Sequence, residues 1–420
     1  MAIEGIPPAA SATLADQKNP VRRETVGIQF GSFDIVAVQS GAKRGGRVCE
    51  TMRLLGLSKM PTRSRPLLLH VFSSFAVGGA QVRFAAIANR YPQAWRHAIV
   101  AMDGNLECRE RLDADVDATY PDVEIRKGDT FGNVRRFRRA LRALRPQALI
   151  TGNWGSIEWA MANALPVVRH IHTEDGFGPE ERDRQLPRRV WTRRIFLRGA
   201  TVVVPSRTLW RIATEQWRLS PPRVRYIPNG IDLARFARAA TAVLPGDGPV
   251  IGCVAALRAE KNFPRLIRAF HLVAAEMPAR LVIVGDGPER GALEQLVASL
   301  DLSGRVLFAG HVPEPAPLYR AFDVFALTSD TEQMPMTVLE AMAAALPVAA
   351  TDVGDIKAML APENSAFIVP RDEPALADAF RALLREPGLR HSVGAANRVR
   401  AEREYDQEVM FRAYAELFGS

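Results

Sequence analysis

The sequence predicts an α/β protein made of two doubly wound, Rossmann-like domains that face a central cleft. Three observations point there. Short, continuously apolar segments alternate with amphipathic ones, and the alternation runs once, breaks, and runs again. The break, at residues 236–248, is rich in Ala, Gly and Pro. The length of 420 residues exceeds what one hydrophobic core usually holds and suits two domains with additional segments.

Taken in order, residues 1–65 show Pro7-Pro8, Gly41, Gly45-Gly46 and scattered charges without a sustained period, so a disordered or peripheral leader is expected. Residues 66–235 form the first unit. Its strands are expected at 67–72, 98–101, 148–151, 166–171 and 201–205, with helices at 80–89 and 135–144 and one more before the last strand. Residues 249–403 form the second unit, with strands at 250–254, 281–284, 306–308, 324–327 and 347–350 and helices at 263–275, 289–300 and 337–345. Residues 404–420 read as a terminal helix. Strands that are apolar throughout, rather than alternating, indicate parallel sheets covered on both faces. Two such units leave a large cleft at the carboxyl ends of their strands, which is where a ligand is expected.

Composition excludes several classes. Hydrophobic residues make up 47% of the chain, so it is not mostly disordered. No apolar run approaches the roughly 20 residues that cross a bilayer, and the first residues lack the basic and apolar regions of a secretory signal. The three cysteines, Cys49, Cys108 and Cys253, are far apart and without Cys-x-x-Cys spacing. That argues against a disulfide framework or zinc site and fits a reducing cytosol. The net charge of +9 rests on Arg, since only six of the 55 basic residues are Lys. Two arginine clusters, within 134–145 and 187–198, have apolar residues between them at helical spacing. Two readings stand: a basic, apolar-studded face for an anionic membrane, or core-facing apolar residues with Arg on the solvent side.

The chemistry is densest at 329–343. Glu332 falls just past a strand, and Glu340 eight positions later on the following helix. The amides of Met336 and Thr337 open that helix and suit a diphosphate. One carboxylate can then reach a sugar hydroxyl and the other a ribose diol. An isolated Glu pair is more often a cap and a solvated helix residue, and here the context decides. The stretch, with Ala344 to Gly354 after it, resembles the paired-glutamate signature of the retaining glycosyltransferases of family 4. Gln333 stands where that family commonly has Gly.

Further segments resemble the same family in the same order: 76–81 with Gly78 and Gly79, 170–176 with His172, 227–232, and 257–262 with Arg258 and Lys261. The family's Arg directly before Leu257 is replaced by Ala256, and Arg258 is its candidate substitute. The segment 285–291 looks like a dinucleotide fingerprint, but its third Gly is one residue late and it has no partner acid, which argues against a dehydrogenase.

The resemblance covers roughly 66–420 and implies the glycosyltransferase B fold. It also implies transfer, with retention at the anomeric carbon, from a nucleotide-diphosphate-sugar to an acceptor. The donor would sit on the second domain and the acceptor on the first, with 404–420 crossing back to the first. Glu332 would hold donor-sugar hydroxyls, Glu340 the ribose, and Arg258 and Lys261 the diphosphate. His172 would face the sugar from the opposite wall, Gly78 and Gly79 would let backbone approach the donor, and Val312 would belong to a base-contacting loop. No cofactor beyond the donor, which is a substrate, and no metal is expected. The implied setting is bacterial cell-surface polysaccharide or lipopolysaccharide synthesis. The acceptor would be a glycan or lipid-linked, and the location cytoplasmic, peripheral on the inner face of the cytoplasmic membrane. Nucleic acid is not expected as a partner, for want of a recognition motif. The rival is a catalytically inactive scaffold of the same fold. Ala256 and Gln333 favour it, and intact His172, Lys261, Glu332 and Glu340 oppose it.

Overall fold

The computed structural model describes residues 65–181 and 184–419. The expectation for residues 1–64 lies outside the described residues. Two parallel sheets carry the fold. The first contains β1 (Leu67–Phe72), β2 (Arg96–Ala101), β3 (Ala118–Thr119), β4 (Ala148–Gly152), β5 (Arg169–Thr173), β6 (Thr201–Val204) and β7 (Val224–Tyr226). Their order is β3-β2-β1-β4-β5-β6-β7. The second contains β8 (Val250–Val254), β9 (Arg280–Val284), β10 (Val306–Gly310), β11 (Val324–Leu327), β12 (Val348–Thr351) and β13 (Ile368–Val369), in the order β10-β9-β8-β11-β12-β13. Strand order therefore reverses at β1/β4 in one sheet and at β8/β11 in the other. Loops leaving the strands at such a switch point diverge and open a crevice for a ligand.

Local sequence explains the elements that frame these crevices. β8 and β11 are buried almost throughout and pair directly. The Phe263–Ala274 helix starts cleanly because the Asn262 side chain accepts from the Arg265 amide and Pro264 occupies the first turn. It buries Phe263, Leu266, Ile267, Phe270 and Val273 along one stripe. Strand β5 begins later than its apolar sequence suggests. The Asn163 side chain accepts from the Val167 and Val168 amides, which diverts the chain before Arg169.

The expected terminal helix is Gln407–Phe418, and a further helix, Pro387–Glu404, precedes it. Between them Asp406 caps the second helix. The crossing runs beside Ile231, which exchanges backbone hydrogen bonds with Tyr405 and Gln407. Gly230 permits this approach, because a Cβ there would lie 2.5 Å from the Gln407 Cα. The last helix then packs Met410, Phe411, Tyr414 and Phe418 against Leu68, Ile87 and Trp95 of the first domain.

The arginine-rich helices differ from each other. In Thr130–Leu144, Phe137 and Leu141 are fully buried, and Val134 and Leu144 pack on the same core. The apolar stripe between the arginines of that helix therefore faces inward, and Phe131, in the first turn, stays 86% exposed. In Pro187–Phe196, Trp191 is 58% and Ile195 59% exposed.

Candidate active site at the domain junction

The loops after β8 and β11 meet across the switch point of the second sheet. The Thr328 hydroxyl donates to the Lys261 and Asn262 carbonyls, the Asp330 amide to the Glu260 carbonyl, and Arg265 pairs with Asp330 at 2.9 Å. These bonds fix one loop on the other. They set the Lys261 Nζ 2.5 Å from Glu332 Oε1, which also accepts from the Ser329 hydroxyl at 2.8 Å. Arg258 lies on the same loop as Lys261 but is exposed, and its side chain has no partner among the described residues.

Glu340 follows on the Met336–Ala343 helix and accepts from the Tyr319 hydroxyl at 2.7 Å. Burial pushes its carboxyl above the usual range, and the Tyr319 hydrogen bond and Arg235 oppose that shift. Met336 and Thr337 occupy the first turn, where helical N–H groups lack intrahelical acceptors and favour an anion. Val312, just past β10, is half-buried and packs against the second domain's core. The structure thus gathers Lys261, Glu332 and the start of this helix around one loop and places Glu340 about one turn along it.

On the first domain, Gly78 is the residue before the Gly79–Arg90 helix and Gly79 its first residue. A Cβ on Gly79 would meet nothing within 4 Å, so that position borders open space. His172 departs from expectation. The sequence places it at a strand end facing the cleft, but the ring is completely buried. Its Nδ1 pairs with the Thr151 hydroxyl at 2.8 Å, because the β4–β5 register sets Thr151 directly opposite. Its Nε2 lies 3.6 Å from Glu174 and has no hydrogen-bond partner, and Glu174 Oε1 is likewise buried and unpaired. Such orphaned groups are costly and mark places where a missing partner belongs.

Several contacts at the site have no signature in the sequence. Arg83 grips Asp175 through two hydrogen bonds of 2.6 and 2.9 Å and donates to Asn229 at 2.8 Å. Asn229 in turn donates to the Met334 carbonyl at 3.3 Å. Gln333 reaches the first domain, accepting from Ser206 at 3.4 Å, and the Asp355 carboxylate accepts from the Arg207 and Thr208 amides at 2.5 and 3.0 Å. Partners so far apart in the chain leave no local pattern to read. Beneath the cleft, Arg193 is buried between Glu174 and Glu181 and lies over the rings of Trp154, Phe177 and Trp217. A cavity of about 530 Å³, lined by Asn153, Trp154, Asp175, Phe177 and Arg193 among others, opens at the carboxyl ends of β4 and β5. Among the described residues, no group of three or more His, Cys, Asp or Glu is arranged to hold a metal.

Two facing Rossmann-like domains, joined through Gln333, Asn229 and Asp355, have the architecture of the glycosyltransferase B fold. Comparison with known proteins agrees. The family described as glycosyl transferases group 1 matches residues 248–386, and that described as glycosyltransferase family 4 matches residues 77–235. The chain belongs to the group 1 glycosyltransferases of family 4.

Among its relatives is a GDP-mannose-dependent alpha-mannosyltransferase of Mycobacterium tuberculosis, 29% identical over 60% of this chain and 68% of that one. Another is the putative glycosyltransferase EpsF of Bacillus subtilis, 28% identical over 69% of this chain and 80% of that one. The solved structure of Anabaena HepE in complex with UDP superposes with a TM-score of 0.71 at 19% identity, covering 83% of this chain and 98% of that one.

Proposed function

We propose that this glycosyltransferase moves a sugar from a nucleotide-diphosphate-sugar to a glycan or lipid-linked acceptor, with retention at the anomeric carbon, in the synthesis of a bacterial cell-surface polysaccharide. The observation that carries the reading is the 2.5 Å Lys261–Glu332 ion pair at the switch point of the second sheet. Without donor, each charge satisfies the other. With donor, Lys261 turns to the diphosphate, the leaving group, which gains charge as its bond to the anomeric carbon breaks. Glu332 is then released to the sugar hydroxyls.

The first-turn amides at Met336 and Thr337 and the exposed Arg258 complete the anion site, and Glu340 receives the ribose. His172, fully buried and held by the Thr151 hydroxyl, would support the cleft wall from beneath rather than touch the sugar. Gly78 and Gly79 border the donor, and Val312 lies toward the base. No metal or cofactor is needed in this scheme. The names of the relatives, which include a GDP-mannose enzyme, and the UDP held by a structural neighbour support a nucleotide-sugar donor. Membrane contact on the inner face of the cytoplasmic membrane is proposed through the exposed Trp191 and Ile195 and the basic residues around them.

The test is sugar release and transfer across a panel of UDP- and GDP-sugars, with the anomeric configuration of the product read by NMR. A retained product supports the reading. An inverted product removes the retaining mechanism, and no turnover or binding of any donor by folded protein assigns the chain to the scaffold alternative.

A further inference from the structure

A separate groove of about 680 Å³ opens where the two domains meet beside Asp355. The first domain contributes Arg207, Trp210, Arg211 and Tyr226 to its lining, and the second contributes Asp355 and Lys357. None of Arg258, Lys261, Glu332 or Glu340 lines it. Arg207, Arg211 and Lys357 are all exposed. The Arg211 and Lys357 side chains have no hydrogen-bond or ion-pair partner among the described residues, and Arg207 lies over the Tyr226 ring at 5.7 Å. Asp355 is the one carboxylate in the lining, and the Arg207 and Thr208 amides already occupy it. Three cations therefore share a groove without a free counter-charge. Arg207 and Arg211 are one helical turn apart on one wall, and Lys357 comes from the other domain.

We propose that this groove binds a phosphorylated ligand, with phosphate held between Arg207 and Arg211 on one side and Lys357 on the other and the organic portion against Trp210 and Tyr226. The guanidinium fork matches phosphate oxygens, Lys adds a point charge, and the volume suits a small organic molecule. Such a ligand touches both domains at once and so favours the arrangement in which they are closed. It also abuts the loop that carries Glu332. A Cβ on Gly354 would fall 2.1 Å from the Glu332 carbonyl, and the Asp355 amide donates to the Gln333 carbonyl at 3.1 Å. Occupancy of the groove is thereby felt at the donor carboxylate through two backbone contacts.

Inorganic pyrophosphate is the probe, titrated by calorimetry. Because it also suits the donor's diphosphate site, the titration is made in a Lys261→Ala background, with and without Arg211→Glu and Lys357→Glu. Binding that weakens at least tenfold when the two reversals are added, at unchanged melting temperature, is the expected result. Equal binding with and without them overturns the site. Co-sedimentation with phosphatidylglycerol vesicles then separates the sources of phosphate. Vesicle binding unchanged by the reversals assigns a soluble phosphate compound, and vesicle binding lost with them assigns a lipid headgroup.

Discussion

At the scale of single residues, the donor loops give the sharpest expectations. On the proposed mechanism Lys261→Ala removes the cation that meets the developing charge on the diphosphate, so kcat should fall about a hundredfold or more, with a smaller change in KM. Steady-state kinetics on the donor identified by the panel checks this, and an unchanged kcat would sink the assignment. Arg258 is exposed and unpartnered and can reach toward a bound donor without breaking an existing contact. Arg258→Ala should cost on the order of 3 kcal/mol of transition-state stabilisation, and adding Ala256→Arg to it should restore part of the rate. A silent Arg258→Ala leaves the diphosphate to Lys261 and the backbone amides.

The buried histidines make a different prediction. His97 is held down to about 4 and His170 to about 3, in both cases by burial first, while His70 is lowered by burial and by its neighbour His97. Each binds a proton more readily when the chain unfolds. Their contribution to stability is therefore complete above the unfolded value of about 6.5 and is lost as pH falls toward the folded values. The slope is up to about 1.4 kcal/mol per pH unit for each. Urea midpoints should drop steadily from pH 7 to pH 5, and a flat profile would contradict it. Glu332, Glu340 and Lys261 were singled out by the family resemblance, and the structure sets Lys261 against Glu332. The enclosure of His172 could not be read from the sequence, because it depends on Thr151 in the neighbouring strand, and strand register is a tertiary fact.

At the scale of elements, the two arginine-rich helices show where periodicity stops being informative. Both carry apolar residues between arginines. In Thr130–Leu144 the stripe enters the core and leaves Phe131 outside at the first turn, whereas Pro187–Phe196 leaves Trp191 and Ile195 outside while burying Arg189 and Arg193 against acidic partners. A buried arginine is uncommon enough that the sequence alone favours the opposite orientation. The protein should co-sediment with anionic but not neutral vesicles, and replacing Trp191 and Ile195 with Ser should weaken this. Replacing Arg135 and Arg139 should matter less. Equal sedimentation with both vesicle types would remove the membrane from the account. The short strands β3, β7 and β13 were not legible in the sequence, and the Glu373–Arg385 and Pro387–Glu404 helices are missing from its expectations, although the first has an Asp372 cap and an apolar stripe at helical spacing. The three strands are only two or three residues long, below the reach of a periodic pattern.

At the scale of the whole molecule, the chain crosses between the domains at 227–232 and again at 404–407, and the two crossings touch. Gly230 is the narrowest point. Gly230→Ala drives a methyl group into Gln407 backbone and should destabilise by about 1–3 kcal/mol, read as a lower melting temperature. A variant as stable as the parent would mean that the crossing yields freely. The doubled alternation of strands and helices was legible because each sheet is buried on both faces. The contacts between the domains, through Gln333, Asn229 and Asp355, were not, since each joins residues more than 100 positions apart.

The Gln407–Phe418 helix has a consequence for biosynthesis. Leu68, Ile87 and Trp95 leave the ribosome early, yet the twelve-residue helix that covers them is translated only after the entire second domain. The earliest sheet must therefore persist with an open apolar side while more than 150 further residues are made between β7 and that helix. Closing so long a loop is slow, and the exposed face is a natural client for a chaperone in the interval. Translation that stops before Gln407 would release a chain whose second domain is complete and whose first is not.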